Sequence, residues 1–226
     1  MTEKLFQKLY SAAMQTNYEV LELFPTPVFT TTLPVELSDV IPWFYKQEIL
    51  VEEIDAANYG ERSKNSYILD EPESAKLRAY ILALTKHYGS MLGYDYEEYK
   101  FGQSWLSFKQ PGQHHTLHAH ANSLISGVFY FGEFTEKTPA IRFHKITGGI
   151  NSSMLMPKLE KNLKNKVYAQ DLFSIDFEPG LLVLFPSYLH HSVPVNKTDT
   201  VRCSLAFNVV PTIGFGNEKN LTEMKF

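Results

Sequence analysis

The chain has 226 residues, of which 44% are hydrophobic and 14% aromatic, and its formal net charge at pH 7 is -4. These values describe a globular protein large enough for one well-buried core, and they exclude a disordered chain. The slightly acidic balance, without a dense cluster of Lys and Arg, argues against nucleic acid as a partner. The longest apolar runs are strand-sized, and the N-terminus lacks the apolar core of a signal peptide. We therefore expect no membrane association and a cytoplasmic location.

The first hundred residues have a mainly helical pattern. Apolar residues at helical spacing predict a helix over about residues 73–92, and weaker patterns predict helices over 3–15 and 37–49. Between these two weaker helix candidates, the stretch FPTPVFTTTLP predicts an early strand bounded by prolines.

From Tyr99 onward the pattern changes to short segments rich in aromatic and β-branched residues, separated by Gly, Pro or Asn. These segments are YKFGQSWLSFKQPG, SLISGVFYFGEF, AIRFHKI, PGLLVLFPSYL and TVRCSLAFNVVP. Helices followed by many short strands predict an antiparallel sandwich or jelly roll flanked by helices. The polar stretch 145–171 predicts a long loop. No linker or repeat interrupts the chain, so we predict one domain, 1–226, in which a helical part, about 1–98, packs on a β core of about 99–212.

Four of the eight histidines lie within residues 114–120, HHTLHAH. On a strand, His118 and His120 would point to the same face, where both rings could hold one cation; two exposed strand histidines are the alternative. The single cysteine, Cys203, excludes a Cys-based zinc cluster, so a metal would need His and carboxylate ligands. In a jelly roll, a third ligand on a distant strand of the opposite sheet can meet such a pair. The remaining candidates for that ligand are His87, His144 and the pair His190 and His191.

The last strand candidate carries a charge on one face. In TVRCSLAFNVV alternate residues are apolar, and the other face holds Arg202, Ser204, Ala206 and Asn208. A guanidinium that faces the interior of a jelly roll is costly unless it meets an anion, and arginine holds a carboxylate by two parallel hydrogen bonds. Ser204 can donate a further bond to the same group. The alternative is an edge strand with Arg202 in water.

Together these residues resemble the Fe(II)/2-oxoglutarate-dependent oxygenases, whose pattern is His-x-Asp/Glu, a distal His, and Arg-x-Ser downstream. More closely, the blocks FPTPVF, HAHANSLISGVFYF, FPSYLHHSV and RCSLAFN resemble a branch of that family found in bacterial and bacteriophage genomes. The resemblance implies a mainly β fold with flanking helices, the double-stranded β-helix, which is a cupin-like jelly roll. It also implies an oxidoreductase that uses Fe(II), 2-oxoglutarate as cosubstrate and dioxygen to oxidise a substrate, small molecule or peptide, that the sequence does not identify.

The resemblance assigns roles to particular residues. It implies His191 rather than His190 as the distal ligand, Arg202 as the partner of the far carboxylate of 2-oxoglutarate, and Ser204 as its assistant. Three further residues lie near where the family's cosubstrate pocket is lined: Tyr130, Asn122 and Ser126.

The chain departs from the family at the carboxylate position, which is His120. The usual site has two histidines and one carboxylate. Either His118, His120 and His191 hold the metal, which we favour, or a carboxylate comes from elsewhere. The candidates for that carboxylate are Glu133, Asp176 and Glu178.

Two other functions remain open. The spacings from Gly112 to His118 and from Gly180 to His191 resemble those of cupins, so the chain could be a cupin-type metal enzyme that does not use 2-oxoglutarate, although the expected cupin glutamate is absent. It could also be a non-catalytic binding or structural module, such as a virion component, with surface histidines. Arg202-x-Ser204 favours the oxygenase, and the oligomeric state is open.

Overall fold

A computed structural model describes residues 3–14, 25–51, 60–94, 96–139, 141–145 and 170–225. The long loop predicted over 145–171 therefore lies almost entirely outside the described residues. Within the described ranges, no helix is long and apolar enough to cross a membrane.

The described part of the first 98 residues contains helices and three short strands. They are α1 (Glu3–Met14), β1 (Phe29–Thr32), a 3-10 helix (Val35–Val40) that continues into α2 (Ile41–Phe44), β2 (Ile49–Val51), β3 (Glu61–Ser63), two 3-10 turns (Ile68–Asp70 and Pro72–Ser74) and α3 (Ala75–Met91). The rest of the described chain is mainly β. It comprises β4 (Tyr99–Lys109), β5 (His115–His118), β6 (Ile125–Phe131), β7 (Ile141–His144), β8 (Leu172–Ile175), β9 (Leu181–Pro186), β10 (His191–Val193), β11 (Arg202–Pro211) and a last 3-10 turn (Glu218–Asn220).

Two of the three predicted helices are confirmed as α1 and α3, and the proline-bounded strand is confirmed as β1. The prediction of one helix over 37–49 was wrong in its second half. The helix ends at Phe44, and Ile49, Leu50 and Val51 pair with β3 instead. The apolar, partly β-branched run Ile49–Val51 suits a strand edge better than a helix surface. The first hundred residues thus supply strands to the sheet as well as helices.

The strands form two antiparallel sheets. The larger sheet has the order β1-β9-β6-β11-β4-β3-β2, and the smaller has the order β5-β10-β7-β8. This mainly β architecture with flanking helices confirms the predicted jelly-roll class.

The two faces of the larger sheet differ in chemistry because side chains alternate along each strand. One face carries Leu205, Phe207 and Phe129, which lie in a single apolar cluster with residues of α3 such as Ile81 and with Phe44 of α2. These side chains are no more than 1% exposed. Full burial of such side chains contributes about 1.5–3 kcal/mol each, so the helices are fixed against this face. The opposite face looks toward the smaller sheet, and the two enclose a second apolar cluster around Val183 and Phe185.

Strand β11 lies in the middle of the larger sheet, between β6 and β4. Its register places Asn208 opposite Ser126, Ser204 opposite Tyr130, and Arg202 opposite Lys109. The predicted alternation of β11 is confirmed, because the polar residues face the space between the sheets. The fold therefore brings the polar side of β11 to the site described below.

Candidate metal centre

Three histidines converge at one end of the smaller sheet. His191 begins β10 and pairs with His118 of β5, and the centroids of these two rings are 4.2 Å apart. The ring of His120 lies 5.2 Å from each of the other two. One ring nitrogen from each residue lies within 4.8 Å of the others, so the three could hold a metal ion. The structure thus brings together the three histidines singled out in the sequence.

The reason for the convergence differs from the predicted one. The strand β5 ends at His118, so His120 does not share a strand with it. Instead the backbone N–H of His120 donates to the carbonyl of Ser187, 2.9 Å away, just after β9. This bond to the larger sheet holds His120 beside the other two rings.

The Nδ1 atom of each histidine is already engaged. His118 Nδ1 lies 2.8 Å from the carbonyl oxygen of Thr116, and His191 Nδ1 lies 2.9 Å from that of Leu189. A carbonyl can only accept, so Nδ1 carries the proton and Nε2 keeps its lone pair. His120 Nδ1 lies against side chains, at 2.5 Å from Asn208 Oδ1 and 2.9 Å from Ser126 Oγ. A hydrogen bond at Nδ1 is the arrangement that fixes a histidine for ligation through Nε2.

The imidazoles are held in their neutral form. Burial, and after it the neighbouring His118, lowers the pKa of His191 from the ordinary 6.5 to about 3. Burial also lowers the pKa of His118 and of His120. Neutral imidazole is the form that binds a metal, so protons compete little at neutral pH.

The alternative carboxylate ligands are not at this place. Glu133, Asp176 and Glu178 are all exposed, and none belongs to the cluster. Within the described residues, the group that could hold a metal consists of histidines alone.

A fourth histidine, which the sequence analysis did not single out, lies against the cluster. The ring of His115 stacks on that of His118 with centroids 4.2 Å apart, and it lines the same cavity. Burial lowers its pKa, with a further contribution from His118. The histidine-rich stretch HHTLHAH was the only feature of the sequence that pointed to His115. Regular strand alternation would place His115 and His118 on opposite faces, so the pair was not predicted. A shift of register between His191 and Val193 brings them together.

We expect the metal-free protein to lose stability as the pH falls below about 6.5. His115 and His191 stay neutral in the folded chain but become protonated on unfolding, so the unfolded state binds more protons. The stability that these two neutral histidines contribute is fully present above the histidine pKa of the unfolded chain. It is lost as the pH falls toward their lower pKa values in the folded chain. Each adds about 1.4 kcal/mol per pH unit to the slope once the unfolded side chain is protonated.

Urea unfolding with a chelator between pH 7 and pH 5 measures this slope. His115→Phe keeps a ring but removes one titrating group, so its slope near pH 5 should be lower by roughly 1 kcal/mol per pH unit. Equal slopes in the parent and the variant would contradict the prediction.

Arg202 lies deep in the cavity that the three histidines line. It is 3% exposed and sits on a central strand, which excludes the alternative of an exposed edge arginine. Its Nε donates to the carbonyl of Pro139 at 2.9 Å, Nη2 to Tyr130 Oη at 3.2 Å and Nη1 to Ser204 Oγ at 3.4 Å. Across the described part of the chain, these bonds leave two of the five N–H groups of an arginine unpartnered and no carboxylate paired with the charge. A buried guanidinium in this state favours an anion in the cavity.

The other residues expected at the pocket divide into two groups. Ser204 and Tyr130 line the cavity beside Arg202. Ser126 lies against His120 Nδ1 and is not among the cavity-lining residues. Asn122 is exposed in the turn before β6, so the structure does not bring it to the site.

An open cleft of about 340 Å³ leads to the histidines from outside. Its wall is formed by alternate residues of β4, Gln103, Trp105 and Ser107, together with Arg62 and Ser66. His118 and His120 lie on its inner side. The site is thus reached by a cleft whose surface is both polar and apolar.

The family comparison covers this region. Residues 103–208, slightly less than half of the chain, match a family model described as "Putative 2OG-Fe(II) oxygenase". The matched segment runs from β4 to Asn208 and contains the three histidines and Arg202. No curated protein matches the chain.

Several solved structures share the fold. An oxidoreductase of the 2OG-Fe(II) oxygenase family from Burkholderia pseudomallei is 13% identical, with a TM-score of 0.54 over 80% of this chain and 84% of that one. A prolyl-4-hydroxylase from Pseudomonas putida is 16% identical, with a TM-score of 0.52 over 82% and 94%. HygX from Streptomyces hygroscopicus is 12% identical, with a TM-score of 0.55 over 95% and 89%. At such low identities, the solved structures support only a similarity of fold. The family model matches the segment that contains the candidate site. Residues 103–208 are therefore similar to the 2OG-Fe(II) oxygenase family, in which 2OG is 2-oxoglutarate.

Proposed function

We propose that the protein is an Fe(II)- and 2-oxoglutarate-dependent oxygenase whose metal is held by His118, His120 and His191. The observation that carries this proposal is the shared cavity, which is lined by three neutral histidines and by the buried guanidinium of Arg202. The donor set fits the metal, because imidazole suits iron and each Nδ1 is engaged in a hydrogen bond that leaves Nε2 for ligation. HygX, a protein with a similar fold, was crystallised with nickel and 2-oxoglutarate bound, which agrees with this choice of cofactors.

The same cavity offers a place for the far carboxylate of 2-oxoglutarate. Arg202 presents its remaining N–H groups there, and a planar guanidinium matches a carboxylate by two parallel bonds. Pro139, Tyr130 and Ser204 each accept a hydrogen bond from the guanidinium. These contacts fix the orientation of the arginine before the anion arrives.

When bound, Fe(II) and 2-oxoglutarate supply the power to activate dioxygen and oxidise a substrate, which no amino-acid side chain supplies. The protein holds the bound groups in position and shields them from water. Phe185 and Val128 line the cavity with apolar surface, and Phe185 packs on His191 with ring centroids 4.8 Å apart. This packing keeps water from the inner side of the site and holds the ring of His191 in place.

The outer cleft is the place we assign to the substrate that is oxidised. It is the open approach to the inner histidines, and its volume of about 340 Å³ suits a small molecule or a short peptide segment. Its lining of Gln103, Ser107 and Trp105 favours a polar substrate with at least one flat or apolar part.

Anaerobic titration with Fe(II) and 2-oxoglutarate tests the function. We expect a visible charge-transfer band that saturates at one metal and one 2-oxoglutarate per chain, and slow formation of succinate once air is admitted. Metal binding without the band or succinate would favour the cupin-type alternative. A protein that takes up no stoichiometric metal would contradict both enzymes and leave a binding module.

A further inference from the structure

The histidine that replaces the usual carboxylate is held differently from the other two. His118 and His191 donate from Nδ1 to main-chain carbonyls only two residues away. His120 Nδ1 instead meets two side chains, of which one is Ser126, whose Oγ lies 2.9 Å away and itself donates to Asn208. The other is Asn208 on β11, 88 positions along the chain, whose Oδ1 lies 2.5 Å from His120 Nδ1.

Asn208 Oδ1 is the end of a buried chain of hydrogen bonds. Ser126 Oγ donates to it at 2.8 Å, Ser187 Oγ lies 2.8 Å from Ser126 Oγ, and Ser123 Oγ donates to Ser187 at 2.8 Å. Ser126, Ser187 and Asn208 are 0%, 1% and 6% exposed. The Ser126 hydroxyl donates to Asn208 Oδ1, so the amide oxygen is the acceptor on this side, and a hydrogen bond is electrostatically stronger in a buried setting than in water.

The register of the larger sheet builds this arrangement. Asn208 stands opposite Ser126 on β6, and it lies six residues beyond Arg202 on the same face of β11. One strand therefore presents the buried guanidinium near its start and the acceptor for His120 near its end.

We propose that Asn208 is a positioning residue for the metal site, whose Oδ1 holds His120 with its proton on Nδ1 and so directs Nε2 to the metal. The inference rests on the proposed metal site. An acceptor at Nδ1 both orients the ring and increases the donor strength of Nε2. Asn208 thereby makes the imidazole of His120 usable as a ligand.

Titration of the full-length, metal-free protein with Co(II), followed by its visible spectrum, tests the role. Asn208→Leu removes the acceptor at similar volume and should weaken Co(II) binding by about 10–100-fold, the usual effect of losing such a partner. Asn208→Asp keeps an acceptor at this place and should bind Co(II) at least as tightly as the parent.

A double-mutant cycle separates positioning from general damage to the fold. His120→Asp has no N–H to donate, so adding Asn208→Leu to it should change Co(II) affinity by less than about threefold. A structural role would give the same loss in both backgrounds. Should Asn208→Leu fail to fold in chelator, Asn208→Ser, whose side chain cannot reach Nδ1, replaces it.

The outcomes distinguish this inference from the proposed function. Co(II) affinity unchanged by Asn208→Leu, or an equal loss in both backgrounds, overturns the inference while the metal site stands. A parent protein that does not bind Co(II) overturns both.

Discussion

Replacing His191 by alanine should abolish stoichiometric metal binding. His191 is 5% exposed, and the carbonyl of Leu189 fixes its Nδ1, so its Nε2 is held beside the other two rings. Two imidazoles would remain, and we expect affinity to fall by more than about 100-fold, since even a lost hydrogen-bond partner of a ligand costs 10–100-fold. Metal content after anaerobic reconstitution and desalting measures the loss.

The adjacent histidine is the matched control. His190 contributes its backbone carbonyl, which accepts from the N–H of His144, but its side chain does not belong to the cluster. His190→Ala should therefore keep one metal per chain. If the His190 variant loses metal and the His191 variant keeps it, the assignment of the distal ligand is wrong.

Replacing Arg202 by lysine should lower the affinity for 2-oxoglutarate by one or two orders of magnitude. This corresponds to roughly 1.5–3 kcal/mol, the scale of a hydrogen bond to a charged group. Lysine keeps the charge but has neither the planar fork nor an Nε to donate to the carbonyl of Pro139. Anaerobic titration of the Fe(II)-loaded protein with 2-oxoglutarate, followed by the charge-transfer band, gives the affinity.

Metal binding provides the internal control for this variant. Arg202 makes no hydrogen bond to any of the three histidines, so the Fe(II) content should equal that of the parent. Ser204→Ala should cost less than Arg202→Lys, because Ser204 Oγ lies 3.4 Å from Nη1 and its role is secondary. An Arg202→Lys protein with unaltered 2-oxoglutarate affinity would refute the assignment.

Features that depend on the alternation of side chains could be predicted from the sequence. The inward face of β11, with Arg202 and Ser204, follows from period two along one strand, and the structure has that face buried. The helix α3 likewise follows from the apolar period of its residues. Such patterns are local, and tertiary packing here agrees with them.

Features that depend on pairing between distant segments could not be predicted. The side-chain acceptor for His120 comes from the pairing of β11 with β6, and the sequence pattern only placed Asn208 on a polar face. Short strands such as β3 form because a neighbouring strand offers them hydrogen bonds, and their own sequence carries little signal. Ser126 was expected near the cosubstrate; its Oγ lies 2.9 Å from His120 Nδ1, four residues along β6 from Tyr130, a contact that depends on how distant segments pack.

The six-residue spacing between Arg202 and Asn208 on β11 limits how related sequences can diverge. An even spacing is required for both side chains to lie on the same face of β11, so a single-residue deletion between them would turn one toward the helices. Leu205, at an intervening position, packs in the apolar cluster and can exchange with other side chains of similar volume. In homologues that retain both polar residues, we therefore expect this segment to change in composition and to align without an odd-numbered gap.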